Sequence, residues 1–148
     1  VNFVEIPISA DTKVAAEQKQ LELLAKNKID FIVLARYMQI LSSEFVNYYP
    51  SRIINIHHSF LPAFAGAKPY TQAYSKGVKI IGATSHFVTD QLDEGPIIEQ
   101  DTLKISHRDT VSDLVKKGRN VERQVLAEAV RLYIDHRIFV HGRRTIIL

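Results

Sequence analysis

The chain alternates nearly continuous apolar segments with segments whose apolar residues recur at helical spacing, and this alternation limits the folds open to it. Residues 29–35 read Ile-Asp-Phe-Ile-Val-Leu-Ala, almost without polar interruption. They follow a helical pattern, ending near Asn27, that Asp11 or Thr12 can cap. An apolar strand after an amphipathic helix is typical of a parallel sheet with helices on both faces. We therefore predict an α/β fold with a mainly parallel central sheet.

The same alternation continues through the middle of the chain. A short helix that Ser42 or Ser43 can cap precedes a predicted strand over 52–57. Pro69 suits the first turn of a further helix, and the segment 78–88 is rich in β-branched residues. Each of these units adds a strand to the predicted sheet.

The two ends of the chain predict further elements. Apolar alternation over 97–105 predicts a hairpin partner for the strand before it. Thr110 and Asp113 resemble a capping box at the start of a long amphipathic helix. The tail 138–148 predicts a final hairpin, and the apolar segment 3–8 predicts a strand near the start of the chain.

Composition is typical of a single soluble domain and argues against several classes of protein. The 148 residues, 46% of them hydrophobic, suffice for one domain over 1–148. No apolar run reaches the roughly 18 residues that a membrane span needs. The absence of cysteine excludes disulfides and thiolate zinc sites. The net charge of +3 is spread along the chain, unlike the dense basic stripe of a nucleic-acid binder. We expect a cytoplasmic protein that binds neither membrane nor nucleic acid.

Polar residues at the end of one predicted strand are candidates for chemistry. Asn55 and His57 lie two positions apart and would share a face of that strand, whereas His58 would point to the other face. Open α/β sheets bind ligands at the carboxyl ends of their strands. Asp93, in a turn bounded by Gly95 and Pro96, could fold over the same edge and orient an imidazole or a water. The alternative is a strand-end cap and a hydrogen-bonded core histidine.

Three segments carry a more specific signal. They are 55–62 (Asn-Ile-His-His-Ser-Phe-Leu-Pro), 81–88 (Ile-Gly-Ala-Thr-Ser-His-Phe-Val) and 92–98 (Leu-Asp-Glu-Gly-Pro-Ile-Ile). Together they resemble the formyltransferase-fold family, in which an Asn-x-His on one strand is joined by a later Asp. The interval from Asn55 to Asp93 is the one found in glycinamide-type members of the family.

Further segments resemble the deformylase branch of that family. They are 35–41, 57–64, 66–70 and 142–148, so the likeness covers essentially the whole chain. His58 stands where the transferases that formylate glycinamide ribonucleotide more typically have proline.

The resemblance implies a formyltransferase-type, Rossmann-like catalytic domain that hydrolyses 10-formyltetrahydrofolate to formate and tetrahydrofolate. Such a reaction supplies formate for purine synthesis and balances the one-carbon folate pool. Asn55 would stabilise the oxyanion, His57 would act as general acid/base, and Asp93 would orient it or hold water. The resemblance also implies a homo-oligomer that needs no cofactor, because the folate is the substrate. The implied folate-binding residues are Arg36, Met38, Gln39, Ile40, Leu41, Val88 and Leu92.

Several alternatives stay open. The resemblance implies that the chain is incomplete at its N-terminus, without the family's ACT-type domain and first β-α unit. The chain could instead formylate phosphoribosylglycinamide, or be an inactive folate-binding fragment. Core packing is the alternative for Met38, Ile40 and Leu41, and equally for Val88 and Leu92. A metal site is the less favoured explanation of the histidines at 57, 58 and 86 with Asp93, since no metal-ligand motif on a helix is present and the mechanism needs no metal.

A final hypothesis concerns why water, and not an amine, would accept the formyl group. Phe60, Phe64 and Tyr70 follow the catalytic histidine and could narrow the space for a ribonucleotide acceptor, while His58 would bond the loop backbone. The alternative is that both phenylalanines are core residues.

Overall fold

The computed structural model of the chain describes residues 2–9, 11–62 and 68–148. Helices and strands agree with most of the sequence predictions. The helices are α1 (Lys13–Lys26), α2 (Ser43–Tyr48), α3 (Pro69–Lys76) and α4 (Val111–Ile134). The strands are β1 (Ile32–Leu34), β2 (Ile53–His57), β3 (Ile80–Phe87), β4 (Ile97–Lys104), β5 (Ile138–His141) and β6 (Arg144–Ile147).

The four strands β1 to β4 form one sheet in that order, and β5 with β6 forms a separate hairpin. The α/β class is confirmed, but the sheet is mixed. Among the described strands, β1 and β2 are parallel, whereas β2 and β3, and β3 and β4, are antiparallel. The prediction of a mainly parallel sheet assumed that each helix crosses over a sheet face. Helix α3 instead packs against α4, and β3 returns antiparallel to β2.

The predicted strand over 3–8 is wrong. These residues form neither helix nor strand, and Phe3 and Val4 are exposed. An alternating apolar segment becomes a strand only when a neighbouring strand satisfies its backbone groups, and no pairing involves this segment in the described part of the chain. Strand β1 is also shorter than predicted, and Val33 is 38% exposed, so β1 is not buried on both faces.

Helix α4 covers one face of the sheet. It begins with the predicted capping box, in which the Thr110 side chain accepts from the Asp113 backbone N–H and the Asp113 carboxylate accepts in return. Its buried face packs on β2, β3 and β4. The buried residues of this face are Leu114, Gly118, Val121, Val125, Ala129 and Leu132. Among the described residues, the helices are too short or too polar to span a membrane.

Helices α1 and α2 hold the segment that follows β1. Ser42 caps α2 as predicted, because its side chain accepts from the Phe45 backbone N–H at 3.2 Å. Buried Glu17 of α1 accepts the Ser42 N–H at 3.2 and 3.3 Å. Leu41 and Phe45 lie in the core beside them. The end of segment 35–41 is therefore fixed by hydrogen bonds and by packing.

Candidate active site

Asn55 and His57 lie at the carboxyl end of strand β2, as the sequence predicted. The antiparallel register with β3 places Asn55 opposite His86 and His57 opposite Thr84. His57 and His86 are both buried. The pairing of β2 with β3 therefore brings two imidazoles and one amide to the same edge of the sheet.

Asp93 joins this group from the loop between β3 and β4. Its carboxylate lies 3.3 Å from His57 Nδ1 and 3.5 Å from His86 Nε2. The residue has a left-handed backbone, φ 56°, which aspartate tolerates better than most side chains. A Cβ at Gly95 would lie 1.7 Å from the Phe87 carbonyl oxygen, so only glycine lets the loop return this closely to β3. The structure thus brings Asn55, His57 and Asp93 together.

His86 is a site residue that the sequence analysis missed, having considered it only as a metal ligand. It is 2% exposed, and its Nδ1 donates to the Phe87 carbonyl at 2.8 Å. In the neutral imidazole Nε2 is then an acceptor, and Asn55 Nδ2 lies 3.3 Å from it. His86 therefore turns the amide group of Asn55 so that its N–H donors lie at the site.

His58 departs from its predicted position. Its ring stacks on that of His57, with centroids 5.1 Å apart and planes 13° apart. It also lines the cavity over the site, which is described below. The prediction that it points to the other face is wrong, because β2 ends at His57 and the strand alternation ends with it.

The two ring nitrogens of His57 have different surroundings. Nδ1 faces the Asp93 carboxylate, whereas Nε2 is buried and has no hydrogen-bond partner among the described residues. A carboxylate accepts, so Nδ1 carries the proton and Nε2 presents a lone pair. Burial lowers the pKa of His57 below its ordinary value, and the charge of Asp93 offsets this only in part. His57 is therefore a neutral base at neutral pH.

This lowered pKa predicts a pH dependence of stability. The unfolded imidazole, with its ordinary pKa of 6.5, binds a proton more readily than the buried one. The contribution of His57 to stability is thus complete above pH 6.5 and is lost as the pH falls through that value towards the lower folded-state pKa. We expect the free energy of unfolding in urea to fall between about pH 7.5 and 5, and to fall less in His57→Gln.

The matched control is His107→Gln, the same change at an exposed position. This variant should show the same fall in the free energy of unfolding between about pH 7.5 and 5 as the unchanged chain. An equal fall in His57→Gln and His107→Gln would contradict the lowered pKa of His57.

A cavity of about 880 Å³ opens over these side chains, within the usual size range of small-molecule sites. All seven residues predicted to bind folate line it: Arg36, Met38, Gln39, Ile40, Leu41, Val88 and Leu92. Met38 and Leu92 are 72% and 62% exposed, so core packing does not explain them. Leu41, at 5% exposed, both lines the cavity and belongs to the core.

One wall of the cavity comes from α4 and the start of α3. It contains Lys68, Arg119, Glu122 and Arg123. The exposed Arg119 therefore lies on the side of α4 that faces the cavity. Within the described part of the chain, no group of three histidines or carboxylates could hold a metal ion.

Comparison with known proteins matches residues 4–130 to the family described as Formyl transferase. The chain is 57% identical over 147 residues to a formyltetrahydrofolate deformylase of Synechocystis, covering 99% of this chain and 51% of the relative. It is 55% identical to that of Bacillus subtilis, covering 99% and 49%. The chain thus spans about half the length of these curated relatives.

Solved structures of formyltetrahydrofolate deformylases and of a glycinamide ribonucleotide transformylase are also similar to the chain. The formyltetrahydrofolate deformylase of Pseudomonas syringae superposes with a TM-score of 0.95 and 46% identity, covering 100% of this chain and 50% of the other. A glycinamide ribonucleotide transformylase from Symbiobacterium toebii superposes with a TM-score of 0.86 and 40% identity, covering 92% and 64%.

Proposed function

The chain belongs to the formyl transferase family, and from this membership we propose that it hydrolyses 10-formyltetrahydrofolate to formate and tetrahydrofolate. The observation that carries the proposal is the meeting of Asn55, His57 and Asp93 in one cavity. The names of the most similar relatives support hydrolysis over transfer, since the deformylases exceed the transformylase in identity.

The first chemical requirement is to polarise the formyl group. The Asn55 amide has two N–H donors, of which His86 engages one. No described residue engages the second N–H, which can donate to the formyl oxygen as negative charge develops there. Such preorganised donors stabilise oxyanions because they need no reorientation during the reaction. We assign this part to Asn55.

The second requirement is to move a proton from the attacking water to the departing nitrogen. The water oxygen bonds to the formyl carbon, the carbon–nitrogen bond to the folate breaks, and formate leaves. His57 Nε2, with its free lone pair, takes a proton from the water and returns one to the folate nitrogen. Asp93 stabilises the imidazolium between these steps through Nδ1.

The folate lies, in this proposal, against the exposed apolar side chains at the cavity mouth. Met38, Ile40 and Leu92 offer apolar surface that water would otherwise cover, and Arg36 offers charge to the folate carboxylates. The loop after β3 thus contributes Val88 and Leu92 to the folate surface and Asp93 to the catalytic group.

We extend the proposal to the location, assembly, metabolic role and cofactor requirement of the enzyme. It acts in the cytoplasm as a homo-oligomer, supplies formate for purine synthesis and binds no nucleic acid. It requires no metal or other cofactor, because Asn55, His57 and Asp93 cover the tasks of hydrolysis. The spread of the +3 net charge along the chain and the absence of cysteine support this setting.

The test is formate release from 10-formyltetrahydrofolate by the purified chain, in the presence and absence of phosphoribosylglycinamide. We expect formate at the same rate in both reactions, matched by tetrahydrofolate. Formylation of the added amine with no formate in its absence would instead support a transferase. Folate binding without either product would support a binding fragment.

A further inference from the structure

His58 lies beside the catalytic base, and the mechanism above gives it no task. Its half-buried ring stacks on that of His57 and lines the cavity. Neither of its ring nitrogens makes a hydrogen bond with any described residue. The cavity therefore holds a second imidazole whose nitrogens remain available to a bound molecule.

The loop after β2 does not need His58 to hold it in place. The Thr84 hydroxyl accepts the Leu61 backbone N–H at 3.0 Å and donates to the Ser59 carbonyl at 2.9 Å. The Gln100 amide donates to the Leu61 carbonyl at 3.2 Å. Among the described residues, His58 does not make the bond to the loop backbone that the sequence hypothesis gave it. Its place in the cavity thus has no explanation in the anchoring of this loop.

The aromatic rings of the same hypothesis do not select water either. Phe60 packs against Gly82 of β3, and Tyr70 packs against Gly118 of α4. Neither ring is among the described residues that line the cavity, so the predicted narrowing by these two rings is wrong. Phe64 lies outside the described residues.

Hydrolysis differs from formyl transfer in its proton balance. Transfer to a neutral amine exchanges one amide for another and releases no proton. Hydrolysis near neutral pH yields formate, tetrahydrofolate and one proton. After water has attacked, the formyl carbon carries an oxyanion and a hydroxyl group. His57 holds the first proton for the folate nitrogen, so the hydroxyl proton needs another acceptor.

The position of His58 suits this second acceptor. The centroids of the two imidazoles are 5.1 Å apart, and hydrogen bonds reach about 2.8 Å, so both rings can contact different atoms of one tetrahedral carbon. Burial is the main cause that lowers the pKa of His57, and positive charge on His58 lowers it further. Because the two charges oppose each other, the pair favours one proton arriving on His58 as the other leaves His57.

We propose that His58 is a second catalytic base, which takes the hydroxyl proton of the tetrahedral intermediate as the carbon–nitrogen bond breaks. This inference rests on the proposed function. The electron pair of the broken O–H bond stays on the oxygen, so the product leaves as formate. The proton held by His57 goes to the folate nitrogen. His58 then passes its own proton to the water of the open cavity, and both imidazoles are again neutral.

The test is His58→Ala, assayed for formate release from 10-formyltetrahydrofolate with and without imidazole in the buffer. We expect kcat to fall by about tenfold, less than for most acid/base groups, because water in the cavity can also take this proton. Added imidazole should fill the space of the lost ring and restore kcat to within about threefold. KM should change by less than about threefold, since His58 does not bind the folate in this proposal.

Two further variants separate proton transfer from packing. His58→Phe keeps a ring stacked on His57 but cannot accept a proton, so it should lose kcat as His58→Ala does and should not respond to imidazole. It also serves if His58→Ala fails to fold. His107→Ala removes an exposed histidine and should show neither the loss nor the response.

The outcomes distinguish this inference from the proposed function. Full activity in His58→Phe would show that the stacked ring alone suffices and would overturn the role of His58 as a base. A loss in His58→Ala that imidazole does not restore would overturn it as well. In both cases formate release by the unchanged chain leaves the proposed hydrolysis standing, whereas no formate from the unchanged chain would contradict both.

Discussion

Replacing His57 with glutamine is expected to lower kcat for formate release by about a thousandfold, within the range for loss of a positioned acid/base group. Glutamine has nearly the reach of histidine and retains polar atoms, but it cannot take and return a proton. The apolar folate surface formed by Met38, Ile40 and Leu92 is untouched. KM should therefore change much less than kcat, which steady-state kinetics resolve directly.

The control for this prediction is His107→Gln, the same substitution at an exposed residue. Its kcat should equal that of the unchanged chain. A His57→Gln protein that folds, binds folate and releases formate at an undiminished rate would remove His57 from the mechanism.

Replacing Asp93 with asparagine is expected to lower kcat by on the order of a hundredfold or more. The change keeps the size of the side chain, and asparagine tolerates the left-handed backbone of this position as well as aspartate does. The loop should therefore keep its place, and folate binding should stay nearly unchanged. What is lost is the negative charge 3.3 Å from His57 Nδ1, which stabilises the imidazolium.

Folate affinity and turnover are to be measured on the same Asp93→Asn preparation. Asp90→Asn, the same change at an exposed residue of the same loop, should leave both values unaltered. Unchanged turnover in Asp93→Asn would exclude the carboxylate from the reaction, and a loss of folate binding would assign it to the folate surface instead.

The sequence predicted local structure well and sheet direction poorly, for a physical reason. The predicted helix starts are marked by Thr110 with Asp113, by Ser42 and by Pro69. Their hydrogen bonds and backbone angles involve only nearby residues. The direction of β3 and the lack of a strand near the start of the chain depend on which distant segments pair. Residue periodicity carries no information about those partners.

The difference between local and long-range information also explains which site residues could be predicted. Asn55, His57 and Asp93 could be placed together because the motif resemblance supplied the long-range information that periodicity lacks. His86 was missed because its contact with Asn55 arises from the antiparallel register of β2 and β3, whereas a parallel sheet was predicted. A signal was present: β3 carries three consecutive polar residues over 84–86, all buried, which an ordinary core strand does not need.

In the proposed hydrolysis, His57 and its partners deliver water to the formyl carbon. This step can be followed by hydrolysing 10-formyltetrahydrofolate in water labelled with the heavy isotope of oxygen and analysing the formate by mass spectrometry. We expect one labelled oxygen in each formate released, in amounts equal to the tetrahydrofolate formed, and loss of this labelled product in His57→Gln. Formate without the label, or labelled formate in undiminished yield from His57→Gln, would contradict it.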